Sequence, residues 1–193
     1  MERHPWRRLL AWLIDWCCVL LWAGALAAVA VPLYRAGLIT TLSPLAGNIV
    51  GAAVLVVPAT FALAALESGR RGATIGKRVA GLRVETGGGS APSFGRSLAR
   101  NTLKIMVPWL IGHAAVYALS GTSGAAVPGW LWALTVAAYV LPIVWVVSLF
   151  VGSGRTPYDR IVGTYVAPKN SATVATRRTD AGVTDPSASG GAG

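Results

Sequence analysis

Few side chains in this 193-residue sequence are equipped for chemistry, and their spacing excludes most catalytic arrangements. Its two histidines, His4 and His113, are far apart, and its two cysteines, Cys17 and Cys18, are adjacent within an apolar run. Metal and redox sites use separated thiols, as in a CxxC pair, so the cysteines read as small apolar side chains on a helix. No set of nucleophile, base and orienting residue stands together, and no enzyme activity, metal or cofactor is expected. The run Gly72-Ala73-Thr74-Ile75-Gly76-Lys77 imitates a phosphate-binding loop. It has three residues between its glycines where that motif needs four, and Arg78 where Ser or Thr is needed. No nucleotide site is assigned to it.

Asp15 is the residue with most chemical potential, because it interrupts an apolar run. A charge at the centre of a bilayer costs at least about 2.5–3.5 kcal/mol, and intramembrane carboxylates are candidate functional groups. Arg8 is seven residues earlier and shares a helical face, but lies roughly 10 Å away along the axis. The residues three and four positions from Asp15 are Ala11, Trp12, Cys18 and Val19, none of them charged. Its partner must come from another helix, from water or from a bound proton. One reading pairs it with Arg100 or Lys104 as a packing anchor. The other places Asp15, Lys104 and His113 along an ion or proton path. Asp159, in Thr156-Pro157-Tyr158-Asp159-Arg160, reads as the third residue of a helix start of capping-box type, or as a clamp between the fourth span and the basic loop.

The elements that must position these residues are set by composition. Hydrophobic residues make up 54% of the chain and charged residues only 12%, about half the charge of a soluble domain. Four segments are long and apolar enough to span a bilayer: about 9–34, 48–66, 98–119 and 130–151. The first is too long for a cleaved signal peptide. Pro58, Pro108 and Pro142 fall inside the last three and predict kinks that neighbouring helices can accommodate. The fold expected is an all-α integral membrane protein. It is a bundle of about four helices, with a transmembrane domain over 1–167 and a disordered tail over 168–193.

Orientation follows from the basic residues. Arg3, Arg7 and Arg8 precede the first span. Arg70, Arg71, Lys77, Arg78, Arg83 and Arg96 occupy the loop over 67–97, with Arg100 and Lys104 entering the third span. Arg155, Arg160, Lys169, Arg177 and Arg178 follow the fourth. The other two connections carry Arg35 and nothing. This alternation places both termini and the long loop in the cytoplasm. The net charge of +10 therefore belongs to the membrane surface and not to a nucleic-acid site. Arg70, Arg71, Lys77, Arg78, Arg83, Arg96 and Arg100 form a candidate lipid-contacting basic surface. Within the loop, Leu82-Arg83-Val84-Glu85 alternates as a half-exposed strand does, Gly87-Gly88-Gly89 turns the chain, and a short return through Pro92 and Phe94 would make a small hairpin. Ser93 is a candidate N-cap for the third span.

Four segments in order, WRRLLAWLIDWCCVLL, GATIGKRVAGLRV, SFGRSLARN and PYDRIVGTYV, carry a resemblance. Over Trp6 to about Val166 the chain resembles the RDD family of bacterial polytopic membrane proteins, named for one arginine and two aspartates. The resemblance implies that Arg8 (Arg7 being the alternative), Asp15 and Asp159 are those residues. It also implies a bacterial inner-membrane location and an undefined biochemical role for which transport has been suggested. Two functions remain open. One is a scaffold or accessory protein whose charges fix assembly and whose basic loop meets anionic headgroups, with the small-residue helix faces suiting a homo-oligomer or another membrane protein. The other is a small cation/proton transporter, or a subunit of one, using Asp15.

Overall fold

The structure, a computed structural model, describes residues 4–122 and 126–169. Of the tail expected over 168–193, residues 170–193 lie outside the described residues. Among the described residues four helices are long and apolar enough to cross a membrane: Pro5–Arg35, Leu45–Ser68, Phe94–Ser120 and Gly129–Phe150. Their lipid-facing character is direct, since Leu21, Val29, Ile49, Val116, Tyr139 and Ile143 are all exposed. Trp130 and Trp132 are exposed at the start of the fourth span, and Trp6 stacks edge-on against Phe150 at 5.3 Å, where the first span begins and the fourth ends. These are the positions of interfacial belts.

Proline explains how the second and third spans are built. The first span is one helix, α1 (Pro5–Arg35). The second and third each begin at a serine cap. Ser43 Oγ accepts from the N–H of Ala46 at 3.3 Å, and Ser93 Oγ from that of Arg96 at 3.4 Å. α-Helix follows in both (α2, Pro44–Gly51; α5, Phe94–Asn101), then a π-helical stretch (Ala52–Val56; Thr102–Met106), then α-helix again from a Val-Pro pair (α3, Val57–Ser68; α6, Val107–Ser120). A proline has no N–H for the carbonyl four residues back, and its ring crowds that carbonyl. A wider π turn ahead of it relieves the crowding. The carbonyl released by Pro58 is that of Val54, and the Trp22 indole donates to it at 3.2 Å, tying the first span to the second. Pro108 releases the equivalent carbonyl of Lys104. Pro142 behaves differently: it sits inside α7 (Gly129–Phe150), which runs unbroken. The two π-bearing spans pack antiparallel, α3 on α5 and α2 on α6. The contact is close at Gly47, where a Cβ would meet the Tyr117 hydroxyl at 3.0 Å.

Between the second and third spans lies a short helix, α4 (Ile75–Val79), then β1 (Leu82–Thr86). The strand forms where alternation predicted it, but its partner is not the return through Pro92 and Phe94. It pairs antiparallel with β2 (Thr164–Pro168), from Leu82 opposite Pro168 to Thr86 opposite Thr164. The glycine turn does form, with Thr86 N–H donating to the Ser90 carbonyl at 2.9 Å. The chain after it goes straight to the Ser93 cap and has no length left for a strand. Pro168 is therefore ordered sheet and not tail, and Lys169 N–H extends the contact to the Gly81 carbonyl at 2.9 Å. The sheet joins the loop after the second span to the segment after the fourth. It collects the start of α1, the long loop and the chain beyond α7 on one side of the bundle, called here the sheet side.

Candidate functional site: a ring of ion pairs on the sheet side

Three buried carboxylates organise the sheet side, each with both oxygens engaged. Asp15 comes from α1. Its Oδ2 accepts from Thr74 Oγ at 2.7 Å and its Oδ1 from the backbone N–H of Gly76 at 2.8 Å. Thr74 caps α4, and the first N–H groups of a helix have no intrahelical partner, so Asp15 supplies the acceptor for one of them. The Gly-Ala-Thr-Ile-Gly-Lys run that imitated a phosphate loop is thus a helix start whose anion is a side chain of the same protein. Gly76 makes the approach possible: a Cβ there would collide with the Ala11 carbonyl oxygen, lie 2.9 Å from its carbon and 3.0 Å from Asp15 Oδ1. The expected pairing of Asp15 with Arg100 or Lys104 does not form, because its oxygens are filled and Arg100 is held elsewhere.

Glu67, at the end of α3, is fully buried. Its Oε1 accepts from Lys77 Nζ and from Arg100 Nη1, each at 2.6 Å, and its Oε2 from Asn101 Nδ2 at 2.9 Å. Asp159, in α8 (Pro157–Ile161), is equally buried. Its Oδ1 accepts from Arg100 Nε at 2.7 Å and Thr164 Oγ at 3.0 Å, and its Oδ2 from Arg8 Nη2 at 2.9 Å and Thr156 Oγ at 2.7 Å. Thr156 stands at the N-cap of α8, but its hydroxyl donates to Asp159 and does not accept from the helix. The clamp reading of Asp159 therefore describes the geometry better than the capping box. Arg8 also donates to the Gly154 carbonyl.

These bonds close on themselves. Asp15 joins α1 to α4. Lys77 of α4 reaches Glu67 of α3, Arg100 of α5 bridges Glu67 to Asp159, and Arg8 returns from Asp159 to α1. Arg100 is the hub, 1% exposed, with its guanidinium 5.2 Å from the centre of the Tyr158 ring. Burial disfavours charge on Asp159, but the guanidiniums of Arg100 and Arg8 overcome that and hold its carboxyl below the usual range. Lys77 is lowered as well, by burial with Glu67 opposing, which for a lysine disfavours the charged form. Such a ring adds little net stability over an apolar core, yet breaking one member costs about 3–5 kcal/mol by leaving a charge buried and unpaired. It fixes which elements meet.

The candidate residues divide accordingly. Arg8, Asp15 and Asp159 all belong to the ring. Of the basic surface, Lys77 and Arg100 are not available to lipid, since both are drawn inward to Glu67. Arg70, Arg71, Arg78 and Arg96 are exposed, and Arg83 is half-buried beside Glu85. Asp15, Lys104 and His113 are brought to the same cavity. It measures about 300 Å³ and lies between α1, α6 and α7, and its other walls include Trp12, Trp16, Trp109 and Trp145. His113 stacks on Trp109 at 4.7 Å. Sequence reasoning missed Glu67 and Asn101. Glu67 was the available signal, being the single acid at the end of an otherwise uncharged span.

The profile of the RDD family matches residues 3–127. The chain belongs to the RDD family. The matched stretch covers more than half of the sequence and takes in Arg8, Asp15, Glu67 and Arg100, ending before Asp159. The place of Asp159 beside Arg8 accordingly rests on the ion pair at 2.9 Å. Neither a curated protein nor a solved structure matches the chain. As an RDD protein with four candidate spans, it is a membrane protein.

Proposed function

We propose that this RDD protein is a non-catalytic scaffold or accessory protein of a bacterial inner membrane, with both termini and the sheet side in the cytoplasm. The observation carrying this reading is the saturation of its acids. Every carboxylate oxygen of Asp15, Glu67 and Asp159 has a protein donor within 3.0 Å. A carrier of cations or protons needs a carboxylate free to exchange partners, whereas a scaffold needs its charges committed. The exposed Arg70, Arg71, Arg78 and Arg96 then face anionic headgroups, gaining about 1 kcal/mol each near such a surface.

The cavity shared by Asp15, Lys104 and His113 favours the transport reading, and one experiment separates the two. In everted vesicles, added sodium, lithium or potassium should leave a preformed pH gradient unchanged with wild type and with Asp15→Asn. The variant should instead lower thermal stability and membrane abundance. Cation-driven dissipation by wild type, lost in Asp15→Asn at equal abundance, refutes the scaffold.

A further inference from the structure

Four cations, Arg8, Lys77, Arg100 and Lys104, stand around the three carboxylates of the ring. The first three are each paired with an acid. Lys104 has no ion pair or hydrogen bond among the described residues, although Glu67 and Asp15 lie near enough to attract it. It sits on the cavity wall, in the π-helical stretch ahead of Pro108. The acid lining that cavity is Asp15, whose oxygens are both occupied. A cation entering would find no uncommitted carboxylate on the lining, while an anion would find an unpaired ammonium. A second donor stands on the same wall: the Trp109 indole N–H is buried with no acceptor among the described residues. His113, Tyr158 and the acid-paired cations Arg8, Lys77 and Arg100 also reach the lining, and the rest of it is apolar, including Trp12, Trp16, Pro108, Trp145 and Leu149. The four wall tryptophans are only half-buried, so the cavity can be reached from the lipid-facing surface.

We propose that this cavity binds one anionic amphiphile, with a monoanionic carboxylate or phosphodiester head against Lys104 and an acyl chain among the tryptophans of α1, α6 and α7. Its volume of about 300 Å³ is at the small end of ligand sites and holds one acyl chain, so a two-chain lipid would leave its second chain outside the cavity. A ligand there would complete the charge balance of the ring from within the membrane. This site is independent of the exposed arginines and of whether the protein moves ions.

The test uses the full chain purified in a neutral, non-ionic detergent. Palmitate, phosphatidylglycerol or inorganic phosphate is titrated separately, and occupancy is read by native mass spectrometry. One palmitate or one phosphatidylglycerol per chain is expected, with preference between them identifying the head, and no occupancy by inorganic phosphate at equal concentration. Lys104→Met should weaken binding about tenfold or more, the worth of one hydrogen bond to a charged group. Gly112→Leu leaves every ring residue in place and extends into the cavity, since nothing lies within 4 Å of a Cβ there. It should abolish binding while the thermal midpoint holds, which keeps the test decisive should Lys104→Met fold poorly. Arg96→Gln should bind as wild type does. Absence of binding by both amphiphiles, equal binding by Gly112→Leu, or binding lost in Arg96→Gln overturns the site; inorganic phosphate binding as well as palmitate overturns the acyl-chain half of it.

Discussion

Gly76→Ala puts the closest contact of the fold to a test in which two principles disagree in sign. Intrinsic propensity favours alanine over glycine in a helix by about 1 kcal/mol, so α4 taken alone should be stabilised. In the structure the new Cβ would run into the Ala11 carbonyl oxygen, 2.9 Å from its carbon. Both atoms belong to backbone, so no side-chain rotation relieves the clash. Overpacking of this kind costs about 1–3 kcal/mol. Separating α4 from α1 also breaks the 2.8 Å bond from Gly76 N–H to Asp15, and a buried group left unsatisfied costs about 1–3 kcal/mol more. Offset by propensity, the net loss is about 3 kcal/mol. Equilibrium unfolding of the purified chain in mixed micelles, followed by tryptophan fluorescence, measures it. Repeating the substitution in an Asp15→Ala background should show a smaller loss, because the hydrogen bond is already gone; contacting residues couple by about 0.5–3 kcal/mol. A Gly76→Ala chain as stable as wild type, or more so, would refute the account of how α4 is seated.

The ring supplies further tests. Asp159 has a folded pKa below its unfolded value, so its contribution is present in full above the unfolded pKa of about 3.9 and is lost as pH falls through the folded one. Thermal midpoints should therefore drop below about pH 4, and Asp159→Asn should lower the neutral-pH midpoint while weakening that acid dependence. Glu67→Gln removes the acidic partner of Lys77 and one of the two acids paired with Arg100 and should cost about 3–5 kcal/mol; the loss should shrink in a Lys77→Met background, where the stranded charge is absent. Trp22→Phe removes the donor to the Val54 carbonyl. A stability loss of about 0.6–1.7 kcal/mol is expected, the size measured for hydrogen bonds between membrane helices, and no change would mean that the π turn satisfies that carbonyl unaided.

The parts of this fold readable in the sequence are those encoded locally, and the parts that were not depend on partners distant in the chain. Apolar runs fixed the spans to within about four residues, because the bilayer demands a set length of uncharged helix. Ser93 was legible as a cap, and Leu82-Arg83-Val84-Glu85 as a strand, because each pattern is contained in a few neighbouring residues. The partner of that strand was not legible. Alternation specifies which faces a strand presents, but not which of two short segments it will meet, and Thr164–Pro168 lies some eighty residues away. Asp15 shows the same boundary in chemistry. A search among charges for its partner had only Arg100 and Lys104 to offer. The actual donors are a hydroxyl and a backbone N–H, and a helix N-terminus is invisible to a count of charged side chains. Arg100 was read both as a partner for Asp15 and as one of the lipid-contacting arginines, and neither reading found Glu67 and Asp159, which hold it inside. Once Glu67 is recognised as an acid that cannot remain alone at the end of a span, its need for cations draws Lys77 and Arg100 inward. Lys104 is then left as the unpaired charge that gives the cavity its sign.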